Sequence, residues 1–408
     1  MSTELKRGCA VASAGDVVFD SRGIHLPEES ALLLSLIAKH RAVSRAELER
    51  LSGASRTTIV QRLGVLFGAN LIRETEETQP TGGRPSRQLK LNDDFALIIA
   101  VDIGESLTRV ALTDLSPKIV LEAVFPTTLD DGPSFVLSEI MTCSSRLLAQ
   151  IGRPMSQVLG VGLCLPSRID YKNARVFGPS VMHGWDDFDI RGWFLDHFQI
   201  SVFADNDVNL MALAEYRNYW PNEDYFFFIK AGTGIGGGIV IRGQVFRGGQ
   251  GTAGDIGHIQ LDLPNPPLCR CGKLGCLEAY SGGWAIARDL REKGIEANNS
   301  RDVINLVKRN VPEAIQLLRV AGKGFGEVAA NVVSVLNPNL IVLGGTLSEA
   351  DEHLMAGIRE LVYQRCLPLA TRKLEIVKAR SGDRAGTLGA AQLVIDEQLV
   401  GVGLRQHD

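Results

Sequence analysis

The chain has 408 residues, 45% of them hydrophobic and 22% charged, which excludes a disordered or collagen-like polymer and predicts two or three folded domains. Its net charge of −4 argues against a protein that is basic throughout. The longest unbroken apolar run, Phe95–Val101, is far too short to cross a bilayer, and the start, Met1-Ser2-Thr3-Glu4, lacks the pattern of a secretory signal, so no membrane partner and a cytoplasmic location are expected.

Residues 1–27 show no sustained period and are expected to form a mobile N-terminal arm. Residues 28–90 carry ten Lys/Arg against seven Asp/Glu, whereas 91–408 carry 30 against 37, so a small basic segment precedes a large acidic body. Such a segment hints at nucleic acid. A first helix fits Ser30–Lys39, with Leu32, Leu33, Leu36 and Ile37 on its inner side. A second begins at Ser44, where Ser44-Arg-Ala-Glu47 reads as a capping box, and Leu48 and Leu51 follow as inward residues. Gly53 makes the turn, and a third helix starts with Ser55 as its cap and Ile59, Leu63 and Leu66 inward.

That spacing is a helix-turn-helix, whose second helix enters the major groove. The outward set on the third helix is Arg56, Thr57, Thr58, Gln61 and Arg62, with Arg45 and Ser55 at the helix starts. Arg can fork to guanine, Gln to adenine, and Thr suits phosphate or the thymine methyl. Leu71–Arg73 and Ser86–Leu91 then predict the two strands of a wing, whose tip holds Gly83, Arg84 and Pro85 and suits a narrow minor groove. Residues 28–91 are thus predicted to be a winged helix-turn-helix domain that binds double-stranded DNA. A three-helix protein-interaction module is the alternative.

From Phe95 the pattern changes to apolar strands punctuated by glycine: Leu97–Val101, Phe226–Lys230 and Leu340–Leu343. Two strand-turn runs echo each other, Ile99-Ala-Val-Asp-Ile-Gly104 and Phe227-Phe-Ile-Lys-Ala-Gly232, as two related α/β halves around a cleft would. The halves are expected at 95–205 and 206–408, with the C-terminal helix as a candidate to return to the first. The helix Ser281–Glu292 and the region Gly322–Leu336 are candidates for oligomer contacts.

The cysteines do not read as a disulfide framework. Four are scattered, but Cys269, Cys271 and Cys276 cluster behind His258. Three thiolates and an imidazole make a closed tetrahedral zinc set, structural because no coordination position stays open. Three unrelated buried thiols are the alternative.

These motifs together resemble the ROK family, which contains sugar kinases and sugar-responsive repressors. The resemblance runs over nearly all of 28–408 and is most specific from Asp255-Ile-Gly-His258 through Cys269-Arg-Cys-Gly-Lys-Leu-Gly-Cys276-Leu-Glu278. Gly232-Thr-Gly-Ile-Gly-Gly-Gly238, Asn206-Asp207 and Asn337-Pro-Asn-Leu-Ile-Val-Leu-Gly-Gly345 also match its motifs, and the helix-turn-helix is similar to that of its repressor branch. The resemblance implies a two-lobed actin-like, ribonuclease-H-like sugar-kinase fold. It also implies a sugar site of Asn206, Asp207, Asp255, His258 and Glu278, with Asp207 as general base in a kinase. His258 would give one ring nitrogen to zinc and keep the other for the sugar. Read without the resemblance, Asn206-Asp207 is an ordinary turn dipeptide.

Three departures from the kinase pattern stand out. The first phosphate loop, Asp-x-Gly-Gly-Thr in the kinases, is here Asp102-Ile-Gly104-Glu105-Ser106. A carboxylate about 4 Å from a phosphate costs roughly 4 kcal/mol at an effective dielectric near 20, about three orders of magnitude in affinity. The Glu before Ile-Gly-His is Asp255, and the usual Pro-Gly of the sugar-side loop is Pro166-Ser167-Arg168. The second phosphate loop, with Gly232, Thr233, Gly234 and Gly236, is intact and reads either as a phosphate cradle or as a glycine hairpin kept for packing.

The expected function is a DNA-binding regulator, a repressor of carbohydrate genes, that responds to a sugar or sugar phosphate as a homodimer or homotetramer. Zinc is the expected cofactor, and ATP with magnesium is not expected. An ATP-dependent sugar kinase using Asp207 is the alternative, and a bifunctional protein the third reading.

Overall fold

The computed structural model describes residues 11–14, 17–20, 23–40, 43–79, 86–177 and 182–400. The region expected to be a mobile arm contains three short strands, β1 (Val11–Ala14), β2 (Val17–Asp20) and β3 (Gly23–His25), paired antiparallel in chain order. The next three elements are the helices α1 (Glu28–His40), α2 (Arg45–Ser52) and α3 (Arg56–Gly68). Ser44 and Glu47 form the reciprocal cap: the Ser44 amide donates to Glu47 Oε2 at 2.8 Å and the Glu47 amide to Ser44 Oγ at 3.2 Å. Gly53 ends α2 in the left-handed region at φ 69°, which glycine adopts without a Cβ clash. The strands β4 (Ile72–Gln79) and β5 (Ser86–Leu91) follow, and Val43 bridges to Leu89 at the sheet edge.

The core of this head is Leu33, Leu34, Ile37, Leu48, Ile59, Leu63 and Leu66. Two expected inward residues are exposed instead, Leu32 and Leu51, and Leu34 takes the inner place. The reason lies far along the chain. Helix α1 packs on α3 and also on the residues Asp396–Val400, so its buried stripe is rotated toward Leu34 and Ala38. Leu51 lies in the last turn of α2, past the row marked by the buried Leu48.

The body begins with β6 (Leu97–Ile103), β7 (Leu107–Thr113), β8 (Ile119–Pro126), α4 (Pro133–Gln150) and β9 (Val158–Leu165). A short hairpin of β10 (Arg168–Asp170) and β11 (Arg175–Phe177) follows, then α5 (Ile190–Phe198) and β12 (Val202–Asn206). The sheet order is β12-β9-β6-β7-β8; the first three are mutually parallel, and β7 runs antiparallel to both β6 and β8. Strand β9, flanked by β12 and β6, is buried along its whole length, as a parallel strand covered on both faces must be.

The second unit, Asp207–Gly389, repeats the plan. It runs through α6 (Asp207–Tyr219), β13 (Tyr225–Ala231), β14 (Ile235–Ile241), β15 (Gln244–Val245), α7 (Leu277–Ser281), α8 (Gly283–Glu292), α9 (Ser300–Lys308) and α10 (Pro312–Leu336). It continues with β16 (Leu340–Gly344), α11 (Glu352–Arg365), α12 (Pro368–Thr371), β17 (Glu375–Lys378) and α13 (Ala385–Ile395). The sheet order β15-β14-β13-β16-β17 has the same mix, with β14 antiparallel to β13 and both β16 and β17 parallel to it.

Residues from Ala390 on belong to the first unit, with the head and the first sheet. A Cβ on Gly162 of β9 would lie 2.1 Å from the Ala390 carbonyl oxygen, so the glycine lets α13 lie directly on the strand. The following turn seats Leu399 in the core, and Tyr171 donates to the Glu397 carboxylate.

Candidate functional site

In the head, Arg56, Thr57 and Gln61 are exposed on one stretch of α3. The Ser55 and Thr58 hydroxyls lie 2.8 Å apart and cap the helix start. Two of the expected outward arginines are engaged within the chain. Arg62 pairs with Glu29 of α1 at 2.8 Å, and Arg45 pairs with Glu74 of β4 at 2.6 Å. The Arg45 guanidinium, with help from Arg87, holds the Glu74 carboxyl below the usual carboxylate range. Gly83, Arg84 and Pro85 lie outside the described residues.

The two glycine turns occupy equivalent places, after β6 and after β13. In the first, the Gly104 amide donates to the Leu107 carbonyl at 2.9 Å, while Glu105 and Ser106 are exposed and Asp102 is half-buried. In the second, the Gly232 and Thr233 carbonyls accept from the first amides of α8, Gly283 at 2.8 Å and Trp284 at 3.4 Å. Gly232 to Gly234 make the turn. Gly236 belongs to strand β14, where a Cβ would lie 2.7 Å from Val208, and a Cβ on Gly238 would lie 2.5 Å from Ala212. Glycine at these two strand positions therefore lets α6 lie on the sheet, which sets Asp207, the first residue of α6, against the end of β13.

Asp207 is buried and its carboxylate receives the Lys230 ammonium from β13. Asn206 stands one residue earlier, and its side-chain amide donates to the Ser167 carbonyl at 2.9 Å. Asn206 also pairs with Leu165, so the altered Pro166-Ser167-Arg168 loop begins beside it. Asp255 precedes a short 3-10 turn that His258 ends, with His258 Nε2 at 3.9 Å from Asp255 Oδ1. Glu278, in the first turn of α7, has both oxygens held. Oε2 accepts from the Ile235 amide at 3.0 Å and Oε1 from the Trp284 indole at 3.3 Å.

The ligand atoms of His258, Cys269, Cys271 and Cys276 all lie within 4.8 Å of one another. His258 Nδ1 faces Cys269 Sγ at 3.7 Å, and Cys271 Sγ faces Cys276 Sγ at 3.6 Å. Burial, then hydrogen bonds from its neighbours, pushes the Cys276 thiol up to about 12, and burial also raises Cys269. For Cys271 the burial effect is outweighed by hydrogen bonds from the Lys273 amide and the two neighbouring thiols, and its thiol falls below the usual range. Three sulfurs and an imidazole nitrogen this close are a soft, tetrahedral donor set that can hold a metal ion. The other ring nitrogen of His258 points to Asp255, so metal and polar cluster share one side chain.

Two residues of this cluster, Lys230 and Trp284, were not among those expected from the sequence. Lys230 stood inside the quoted strand-turn echo, and a charge at the end of a buried strand was the available hint. Trp284 had none, because its partner Glu278 is placed by the fold of the cysteine loop.

A family model described as ROK family matches residues 98–397. The chain belongs to the ROK family. A xylose repressor of Bacillus spizizenii is 28% identical over 369 residues, covering 90% of this chain and 95% of that protein. A glucokinase of Halalkalibacterium halodurans is 29% identical over 315 residues, covering 74% of this chain and 95% of the kinase. The crystal structure of a ROK family transcriptional regulator, a homologue of the E. coli MLC protein, matches 93% of this chain and 99% of its own with a TM-score of 0.79. At 23% identity that likeness speaks for the fold. Among the described residues no helix is long and apolar enough to cross a membrane.

Proposed function

We propose that the chain is a sugar-responsive DNA-binding repressor of carbohydrate genes. The observation that carries this reading is similarity to a repressor over 90% of this chain and 95% of the repressor, whereas a kinase matches 74% of the chain. The exposed Glu105 at the first glycine turn supports it, because a carboxylate there opposes nucleotide phosphate.

In this reading Arg56, Thr57 and Gln61 meet base edges. Arg45, Arg62, Ser55 and Thr58 fix the helix on the duplex, and the wing residues Gly83, Arg84 and Pro85 reach the minor groove. Asn206, Asp207, Asp255, His258 and Glu278 bind adjacent sugar hydroxyls, each of which both donates and accepts. Zinc held by His258, Cys269, Cys271 and Cys276 replaces the thiol protons and fixes the loop that carries Glu278. The sugar acts through unequal affinity for two states of a homodimer or homotetramer on palindromic DNA in the cytoplasm. The kinase alternative keeps one support, Asp207 at the start of α6 beside an intact second glycine turn.

A calorimetric panel of sugars and sugar phosphates on zinc-loaded protein, repeated with ATP and magnesium and assayed for phosphosugar, tests the proposal. A sugar that binds without turnover is the expected result. Phosphosugar formed at about 1–100 per second, the range of protein kinases, would overturn it in favour of the kinase.

A further inference from the structure

Trp284 joins three parts of the second unit: the second glycine turn, the cysteine loop and α7. Its indole nitrogen donates to Glu278 Oε1, and its backbone amide donates to the Thr233 carbonyl of the second glycine turn. The Arg270 guanidinium, which sits between Cys269 and Cys271 in the metal loop, lies over its ring at 4.7 Å from the centroid. Arg288 of α8 lies over the same ring at 5.3 Å. Trp284 also packs, with Cys271, against the small buried cluster of Cys269, Cys276 and Ala279. Its orientation is therefore set by the cysteine loop on one side and passed to a carboxylate on the other. The remaining Glu278 oxygen is tied to a backbone amide, so the indole decides how that carboxylate is turned.

We propose that Trp284 is the positioning residue that couples the metal loop to effector affinity. With the loop closed on its metal, Arg270 holds the indole and the indole holds Glu278 in the orientation that receives sugar hydroxyls. With the metal gone, Arg270 leaves the ring and Glu278 loses its aim. This route acts in addition to His258, which faces both sites, and it rests on the reading of Glu278 as an effector ligand.

The test uses full-length, zinc-loaded protein and the sugar bound best by the wild type. W284F is expected to keep its zinc content and operator affinity but to bind sugar about tenfold more weakly, the usual loss for a hydrogen bond to a charged group. R270M changes an exposed side chain and leaves the core alone. It is expected to lose about threefold, the size of an exposed cation–π contact. The double variant should be no weaker than W284F, since both act through one ring. Chelation should shift tryptophan emission in the wild type by a component absent from W284F. Wild-type affinity in W284F, additive losses in the double variant, or an emission shift preserved in W284F would overturn the inference alone. A wild type indifferent to every sugar in the panel would overturn the effector reading and this inference with it.

Discussion

The two glycine turns after β6 and β13 are built on the same strand plan but wired differently. The first is closed by the bond from Gly104 to Leu107, takes one further bond from the Thr127 amide to the Ser106 carbonyl at 3.1 Å, and shows Glu105 and Ser106 to solvent. The second is tied to more of its surroundings: the Gly232 and Thr233 carbonyls cap α8, the amide that ends it holds Glu278, and the strand behind it carries α6 on bare glycine. A glycine motif can therefore persist for the neighbours its backbone serves, whatever becomes of a phosphate. The first turn, with few such obligations, is free to acquire a carboxylate.

Making the first turn resemble a phosphate loop should give the largest effect. E105G removes the opposing charge and is expected to tighten Mg-ATP binding by up to about three orders of magnitude, from roughly 4 kcal/mol of repulsion; calorimetry with unchanged ATP affinity would show that Glu105 is not the obstacle. Adding a methyl at the second turn's strand comes next. G238A forces a Cβ to within 2.5 Å of Ala212, and should cost about 1–3 kcal/mol in a urea melt, as overpacked cores do. Unaltered stability would mean that α6 does not depend on bare glycine there.

The head supplies two smaller, independent controls. R56A should weaken operator binding by about 1–3 kcal/mol if the guanidinium forks to a base, with sequence preference relaxed at that base pair. E47A removes half of the cap on α2 and should lower head stability by about 1 kcal/mol. Neither should change sugar affinity measured on DNA-free protein.

Much of this was legible in the chain. The capping box at Ser44 and Glu47, the turn glycine Gly53 and the inward row Ile59, Leu63, Leu66 are local, and local chemistry placed them correctly. The cysteine cluster was legible because its ligands fall within twenty residues. What escaped depended on tertiary packing, most of it with distant partners. Leu32 and Leu34 exchange roles because α1 packs against Asp396–Val400, some 360 residues on. Gly236 looked like part of a phosphate loop until Val208 was seen against it. Lys230 and Trp284 became meaningful only once the fold set them beside Asp207 and Glu278.

The most direct test of the central claim is operator binding by the full-length protein, followed by fluorescence anisotropy with and without the best-bound sugar and with no nucleotide present. The account predicts that the sugar weakens operator affinity at least tenfold, a coupling of about 1.4 kcal/mol, and that the same factor appears when DNA is titrated against sugar affinity. A sugar that binds the protein equally well on and off its operator would contradict it.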